Sequence, residues 1–220
     1  MHHQDQRTAI VAACRDMAAT GLTHGTSGNI SLRVGDRMLI TPSGVAYDTM
    51  TPDAIVEMGI TATDVPGGTD AAGFRPSVEF PFHRAILAHR PDVGAVVHTH
   101  SRYATILAIL RKRIPPLHYM IAAFGGDDIR CADYAMFGSD ALSENALAAL
   151  SGRNGCLLAN HGAITVAPTL PKAMALAREL EELACQFVHT MTIGGGPVLL
   201  SDSQIAEALE GFASYGQSQS

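Results

Sequence analysis

Residues 93–98 read Val-Gly-Ala-Val-Val-His, a short and nearly continuous apolar run. A run of this kind suits a strand buried on both faces, since a strand with one wet face alternates apolar and polar residues. Such a strand needs covering layers, and the surrounding sequence supplies them. Within residues 4–20, Ile10, Cys14, Met17 and Ala18 recur at helical spacing, and Gly21 suits the stop. Residues 30–34 and 38–41 read as two strands around the Gly35-Asp36 turn, the second broken by Pro42-Ser43-Gly44. Residues 54–60 form another strand, and residues 61–75, polar and glycine-rich, a surface loop. A helix is expected from Ser77 to about His89, and a second from a cap at Ser101 through Leu110. Strand signals return at 117–123, 155–160 and 163–167, the last after a turn at His161-Gly162. A long helix over 171–191 stops at Gly194-Gly195-Gly196, and a last helix covers 202–212. The alternation predicts one α/β domain over residues 1–220, with helices on both faces of a mixed sheet. Residues 212–220 are expected to form a mobile tail.

Composition removes several functional classes. The 220 residues carry a formal net charge of −6, with 47% hydrophobic and 16% charged residues, which suits a globular chain rather than a disordered one. The richest basic stretch, Arg111-Lys112-Arg113, reads as a solvated helix end, so neither nucleic acid nor an anionic membrane finds a footprint. No window approaches the roughly 18 apolar residues of a membrane span. The N-terminal MHHQDQRTAI lacks the basic-then-apolar order of a signal peptide. Cys14, Cys131, Cys156 and Cys185 are scattered without a CxxC pair, as buried free thiols in a reducing compartment would be, and a cytoplasmic protein is expected.

The sharpest chemical feature is His98-Thr99-His100. Residues two apart on a strand share a face, so both imidazoles can reach one ion. His161 also ends an apolar strand, and two strand ends meeting at one sheet edge give a three-histidine metal site. Neutral imidazole suits zinc, and three protein ligands leave a position for substrate. Iron, cobalt and manganese are equally compatible, and a pair of hydrogen-bonded histidines at a strand end is the plainer reading of the motif alone. His24, His83, His89, His118 and His189 lack ligand spacing and read as surface or structural residues. Gly25-Thr26-Ser27-Gly28-Asn29, Thr41-Pro42-Ser43-Gly44 and Pro76-Ser77 offer backbone N–H groups and hydroxyls to an anion, Ser77 also from a helix N-terminus. Each is also an ordinary turn. No GxxxxGK[ST] loop supports nucleotide hydrolysis, and the first turn lacks the spacing of a dinucleotide fingerprint. Glu79 stands two residues after Ser77. Alone it is a first-turn helix acid, and with the histidines it becomes a candidate base.

Taken in order, these segments resemble the class II aldolase/adducin family, with L-fuculose-1-phosphate aldolases the nearest branch. The likeness spans nearly the whole chain, from 21–29 through 39–44, 76–79, 96–100, 118–123, 134–138 and 160–162 to Ser214-Tyr215-Gly216. It implies a mixed, largely antiparallel sheet and a homotetramer with sites between subunits. It further implies that His98, His100 and His161 hold zinc, with Glu79 a fourth ligand at rest and the acid/base group once substrate displaces it. Gly28, Asn29, Ser43, Gly44 and Ser77 would cradle a phosphate. Tyr119 from a neighbouring subunit would donate the proton at the departing aldehyde's oxygen, and Phe137 and Tyr215 would line the aldehyde side. The family's aldolases usually carry two serines before the glutamate, and the second position here is Val78.

The expected reaction is retro-aldol cleavage of a short ketose 1-phosphate to dihydroxyacetone phosphate and an aldehyde. The substrate would be L-fuculose 1-phosphate, or a 5-deoxyribulose or 5-methylthioribulose 1-phosphate, because an apolar wall favours deoxy or thioether tails. A metal acting as Lewis acid stabilises the resulting enediolate, so no Schiff-base lysine is needed, and the chain holds only Lys112 and Lys172. A pentulose-phosphate epimerase, a dehydratase or a keto-acid-phosphate decarboxylase would use the same metal site, and the run through Tyr119 and Gly125-Gly126 leans toward the aldolases. A non-catalytic adducin-like binding module should lack some of the ligands that are present here.

Overall fold

In the computed structural model, which describes residues 2–61 and 73–214, the apolar run becomes the central strand of seven. Helix α1 (Gln4–Ala19) is followed by strands β1 (Asn29–Val34), β2 (Arg37–Ile40) and β3 (Val56–Gly59). Then come α2 (Phe80–His89), β4 (Ala95–Thr99), α3 (Arg102–Ile109), β5 (Arg130–Ala132) and α4 (Asp140–Ala149). The chain continues through β6 (Gly155–Leu158), β7 (Gly162–Ala167), α5 (Leu170–Ile193) and α6 (Asp202–Ser214). The sheet order is β3-β2-β1-β4-β7-β6-β5, antiparallel at every pair except β5–β6. This is the mixed, largely antiparallel sheet that the family resemblance implies.

Side-chain alternation along β4 divides the core. Ala95 and Val97 pack with Ile10, Cys14 and Met17 of α1 and with Ala173, Met174 and Ala177 of α5. Val96 points the other way, onto Phe82 and Ile86 of α2 and Leu142 and Ala146 of α4. A third cluster joins Leu107 of α3 and Leu180 and Leu183 of α5 to Leu157 and Ala163. Helices therefore cover both sheet faces, and each fully buried Val, Leu or Ile contributes about 1.5–3 kcal/mol. Among the described residues all four cysteines are free thiols, and no helix is long and apolar enough to cross a membrane.

Several elements depart from the sequence reading. Residues 117–123, expected as a strand, instead lead into a 3-10 helix over Tyr119–Phe124. The His118 ring accepts the Met120 N–H at 3.2 Å, and Gly125 ends the turn at a positive φ of 86°. Helix α4 begins where Ser139 accepts the Leu142 N–H at 3.1 Å; neither it nor the three-residue β5 stood out in the sequence. Helix α2 begins at Phe80 rather than at Ser77, which leaves Glu79 at the N-cap position without a capping bond. Residues 62–72 of the expected loop and 215–220 of the expected tail lie outside the described residues.

Ser101 occupies the N-cap of α3 but does not cap it; its Oγ is buried without a hydrogen-bond partner. The carboxylate of Glu181, from α5, accepts the N–H groups of Tyr103 at 2.8 Å and Ala104 at 2.9 Å. A charged acceptor outcompetes a hydroxyl at the positive end of a helix. Glu181→Ala should therefore lower stability by about 1–3 kcal/mol in denaturant unfolding, with Ser101→Ala near neutral. The reverse ranking would mean that Ser101 carries the cap.

Candidate metal centre

Strand β4 ends at Thr99, and its pairing with β1 and β7 sets His98 opposite Asn29 and Ile164. The His98 ring is fully buried, and its Nδ1–H donates to the Ala163 carbonyl at 2.9 Å. That bond aims the Nε2 lone pair at Nε2 of His100, 2.9 Å away. Between β6 and β7 the chain turns through Asn160 in the left-handed region at φ 56°, which presents His161 to the same point. Gly162 makes the approach possible: a Cβ there would lie 2.3 Å from the Thr99 carbonyl oxygen and 3.3 Å from Cε1 of His98. The three rings meet edge to face, with centroids 4.8–5.0 Å apart.

Glu79 closes the group. It is 5% exposed, with Oε2 3.2 Å from Nε2 of His98 and Oε1 3.1 Å from Nε2 of His161, and Oε1 has no hydrogen-bond partner. One ligand atom from each of Glu79, His98, His100 and His161 lies within 4.8 Å of the others. A buried carboxylate oxygen without a donor, facing converging imidazole nitrogens, is an arrangement that a cation satisfies. Burial raises the Glu79 carboxyl, and the His98 and His161 imidazoles together more than reverse it, so it stays far below the usual carboxylate range. Burial, followed by the neighbouring His98 and His161 imidazoles, pushes His100 down to about 3. A carboxylate and a neutral imidazole are the protonation states that bind metal.

Behind the ligands lies a layer that sequence spacing did not expose. Asn29 donates from Nδ2 to Oε2 of Glu79 at 2.8 Å, and its Oδ1 is 2.5 Å from Nε2 of His83, whose Nδ1 is 2.8 Å from Ser31 Oγ. Burial pushes His83 down to about 3, so the ring is neutral. Read from sequence as a surface or structural histidine, His83 takes the structural role, fully buried beside the centre with both ring nitrogens partnered. The one available signal was its position four residues after Glu79.

The centre opens on a cavity of about 470 Å³ lined by Glu79, His100 and His161 together with Gly28, Asn29, Ser43, Gly44, Ser77 and Phe137. The structure thus gathers the expected anion-binding residues beside the ligands, but it changes what they offer. The N–H of Ser43 donates to the Arg75 carbonyl and that of Ser77 to the Thr41 carbonyl, both at 2.9 Å. Those two amides are engaged, so the hydroxyls are the groups these serines present. Tyr119 is not brought to the centre within one chain. It is 56% exposed and lines a separate cavity of about 410 Å³ with Met120 and Phe212. Tyr215 lies outside the described residues.

Comparison with known proteins matches residues 8–188 to the model of the class II aldolase and adducin N-terminal domain. The chain belongs to the class II aldolase and adducin family. It is 45% identical to the 5-methylthioribulose-1-phosphate/5-deoxyribulose-1-phosphate aldolase of Rhodospirillum rubrum, over 96% of this chain and 92% of that protein. It is 44% identical to the L-fuculose phosphate aldolase of Escherichia coli K12, over 94% of each. A solved L-fuculose 1-phosphate aldolase superposes with a TM-score of 0.89 at 35% identity, covering 97% of this chain and 98% of that one. With the Glu79, His98, His100 and His161 group in place, the chain is an enzyme of the class II aldolase type, a carbon–carbon lyase.

Because Gly162 sits against backbone rather than a movable side chain, Gly162→Ala should displace His161. We expect a stability loss of about 1–3 kcal/mol and a Tm that no longer rises when a divalent metal is added. A variant stabilised by metal as strongly as the wild type would show that the turn does not set the ligand geometry.

Proposed function

We propose that the chain cleaves a short ketose 1-phosphate to dihydroxyacetone phosphate and an aldehyde at a zinc centre. The observation that carries this reading is the buried carboxylate of Glu79 among three imidazoles, on the wall of a cavity that Ser43 and Ser77 also line. His98, His100 and His161 would hold zinc, with Glu79 as fourth ligand until substrate takes its place. Bound there, the ion supplies Lewis-acid stabilisation for the negative charge left when the carbon–carbon bond breaks.

The remaining roles fall to side chains. Asn29, Ser43, Gly44, Ser77 and Gly28 hold the phosphate, with Val78 leaving one hydroxyl fewer than a second serine would. Glu79 would move the proton at the carbon that becomes the hydroxymethyl of dihydroxyacetone phosphate. In cleavage the hydroxyl next to the breaking bond loses its proton as it becomes the aldehyde. The Tyr119 phenol would therefore donate that proton in condensation, and by microscopic reversibility the phenolate would take it up in cleavage. Tyr119 lies away from the centre of its own chain, which supports a homotetramer with sites completed between subunits. Val78, Tyr134 and Phe137 give the cavity an apolar wall, which favours 5-deoxyribulose and 5-methylthioribulose 1-phosphates beside fuculose 1-phosphate. Four free thiols fit a reducing, cytoplasmic setting.

The test is release of dihydroxyacetone phosphate from a panel of these ketose 1-phosphates, with relative kcat/KM naming the tail. Release should be lost with chelator and in His100→Ala, and Glu79→Gln should lower kcat about 10²–10⁴-fold. A zinc-loaded protein that releases nothing from any member would contradict the aldolase reading and favour the epimerase, dehydratase or decarboxylase.

A further inference from the structure

We propose that His83 is a positioning residue, which sets the Asn29 amide and, through it, the Glu79 carboxylate; the inference rests on Glu79 serving the metal centre. Donor and acceptor chemistry fixes the direction of every bond. An ionised carboxylate only accepts, so the Asn29 group 2.8 Å from Oε2 of Glu79 is the Nδ2 donor. The amide oxygen then faces away and accepts from Nε2 of His83 at 2.5 Å. With the hydrogen on Nε2, the Nδ1 of the neutral ring has the lone pair and accepts the Ser31 hydroxyl at 2.8 Å. Reversing any one link sets two acceptors or two donors against each other.

The ring has no freedom to yield. It stacks on Phe82 with centroids 4.6 Å apart, and Phe82 in turn meets the His98 ring at 5.4 Å. Ser31 and His83 are fully buried, so no solvent reaches the ring to replace a lost bond. Ser31 lies on β1, one strand from His98, so the relay ties the helix that follows Glu79 to the sheet that carries the histidines. Without His83 the Asn29 oxygen is left buried without its donor, and the amide that holds Oε2 of Glu79 loses the bond that fixes its plane.

The experiment is a zinc-affinity measurement by chelator competition on the full chain, in which no substrate takes part. His83→Leu should weaken zinc binding about 10–100-fold, the usual effect of removing a partner behind a ligand. His83→Gln, which keeps an amide donor near the Nε2 position, should recover most of that loss. Because His83 acts through Asn29, the His83→Leu, Asn29→Ala double variant should bind zinc no more weakly than Asn29→Ala alone. Should His83→Leu fail to fold by circular dichroism, Ser31→Ala carries the same test, because it leaves Nδ1 buried without its donor and the ring less firmly held against Asn29; its loss must likewise vanish in the Asn29→Ala background. A folded His83→Leu with wild-type affinity would overturn the proposal, as would losses that simply add in the double variant. His100→Ala is the control. Wild-type affinity there would overturn the metal centre itself and this inference with it, whereas a failed aldolase assay alone leaves both standing.

Discussion

Glu79 is a carboxylate held at 5% exposure against the nitrogens of three imidazoles, and that contact imposes demands on most of the fold. Taking a charge out of water is unfavourable unless partners fix it in place. One partner, Asn29, comes from β1, two imidazoles come from the end of β4, and the last comes from the turn between β6 and β7. These segments converge only because β1, β4 and β7 are neighbours in the sheet and α2 lies across the face to which Val96 points. The apolar residues of β4 fix where that strand sits. Its last residues then deliver the ligands, so core packing and site geometry share one strand.

What was legible in the sequence follows the range of the interactions. The β1–β2 hairpin, the buried run of β4 and the long α5 carry local patterns strong enough to survive tertiary context, and the structure has all three. His98 and His100 were readable because the two-residue repeat of a strand is local, and His161 because it ends an apolar run. Residues 117–123 are apolar but short, and periodicity cannot separate a short strand from a turn of helix. The cap of α3 was misassigned to Ser101 because the true acceptor, Glu181, is far away in sequence and reaches Tyr103 and Ala104 only after α5 docks.

His83 escaped for the same reason. Its partners Asn29 and Ser31 lie 54 and 52 residues upstream, and no spacing rule links them. The turns expected to hold an anion line the cavity beside Glu79, yet whether an amide is free depends on the strand beside it: Ser43 and Ser77 spend their N–H groups on Arg75 and Thr41. A buried polar network of this sort specifies a unique arrangement when every member is satisfied, and is costly when one is removed. Within a single chain the chemistry is also divided. Glu79, His100 and His161 line one cavity and Tyr119 another, so the role proposed for Tyr119 requires a second copy of the chain.

The most direct test of the account is X-ray absorption at the metal edge of the purified, metal-loaded protein, which sees the first coordination shell alone. The structure predicts one ion per chain with three imidazole nitrogens at about 2.0–2.1 Å and oxygen from Glu79 at about 2.0–2.2 Å, with no sulfur. Glu79→Gln should alter only the oxygen contribution. A sulfur shell, fewer than three imidazoles, or a metal whose environment ignores changes at His98, His100 and His161 would contradict the centre on which the reading stands.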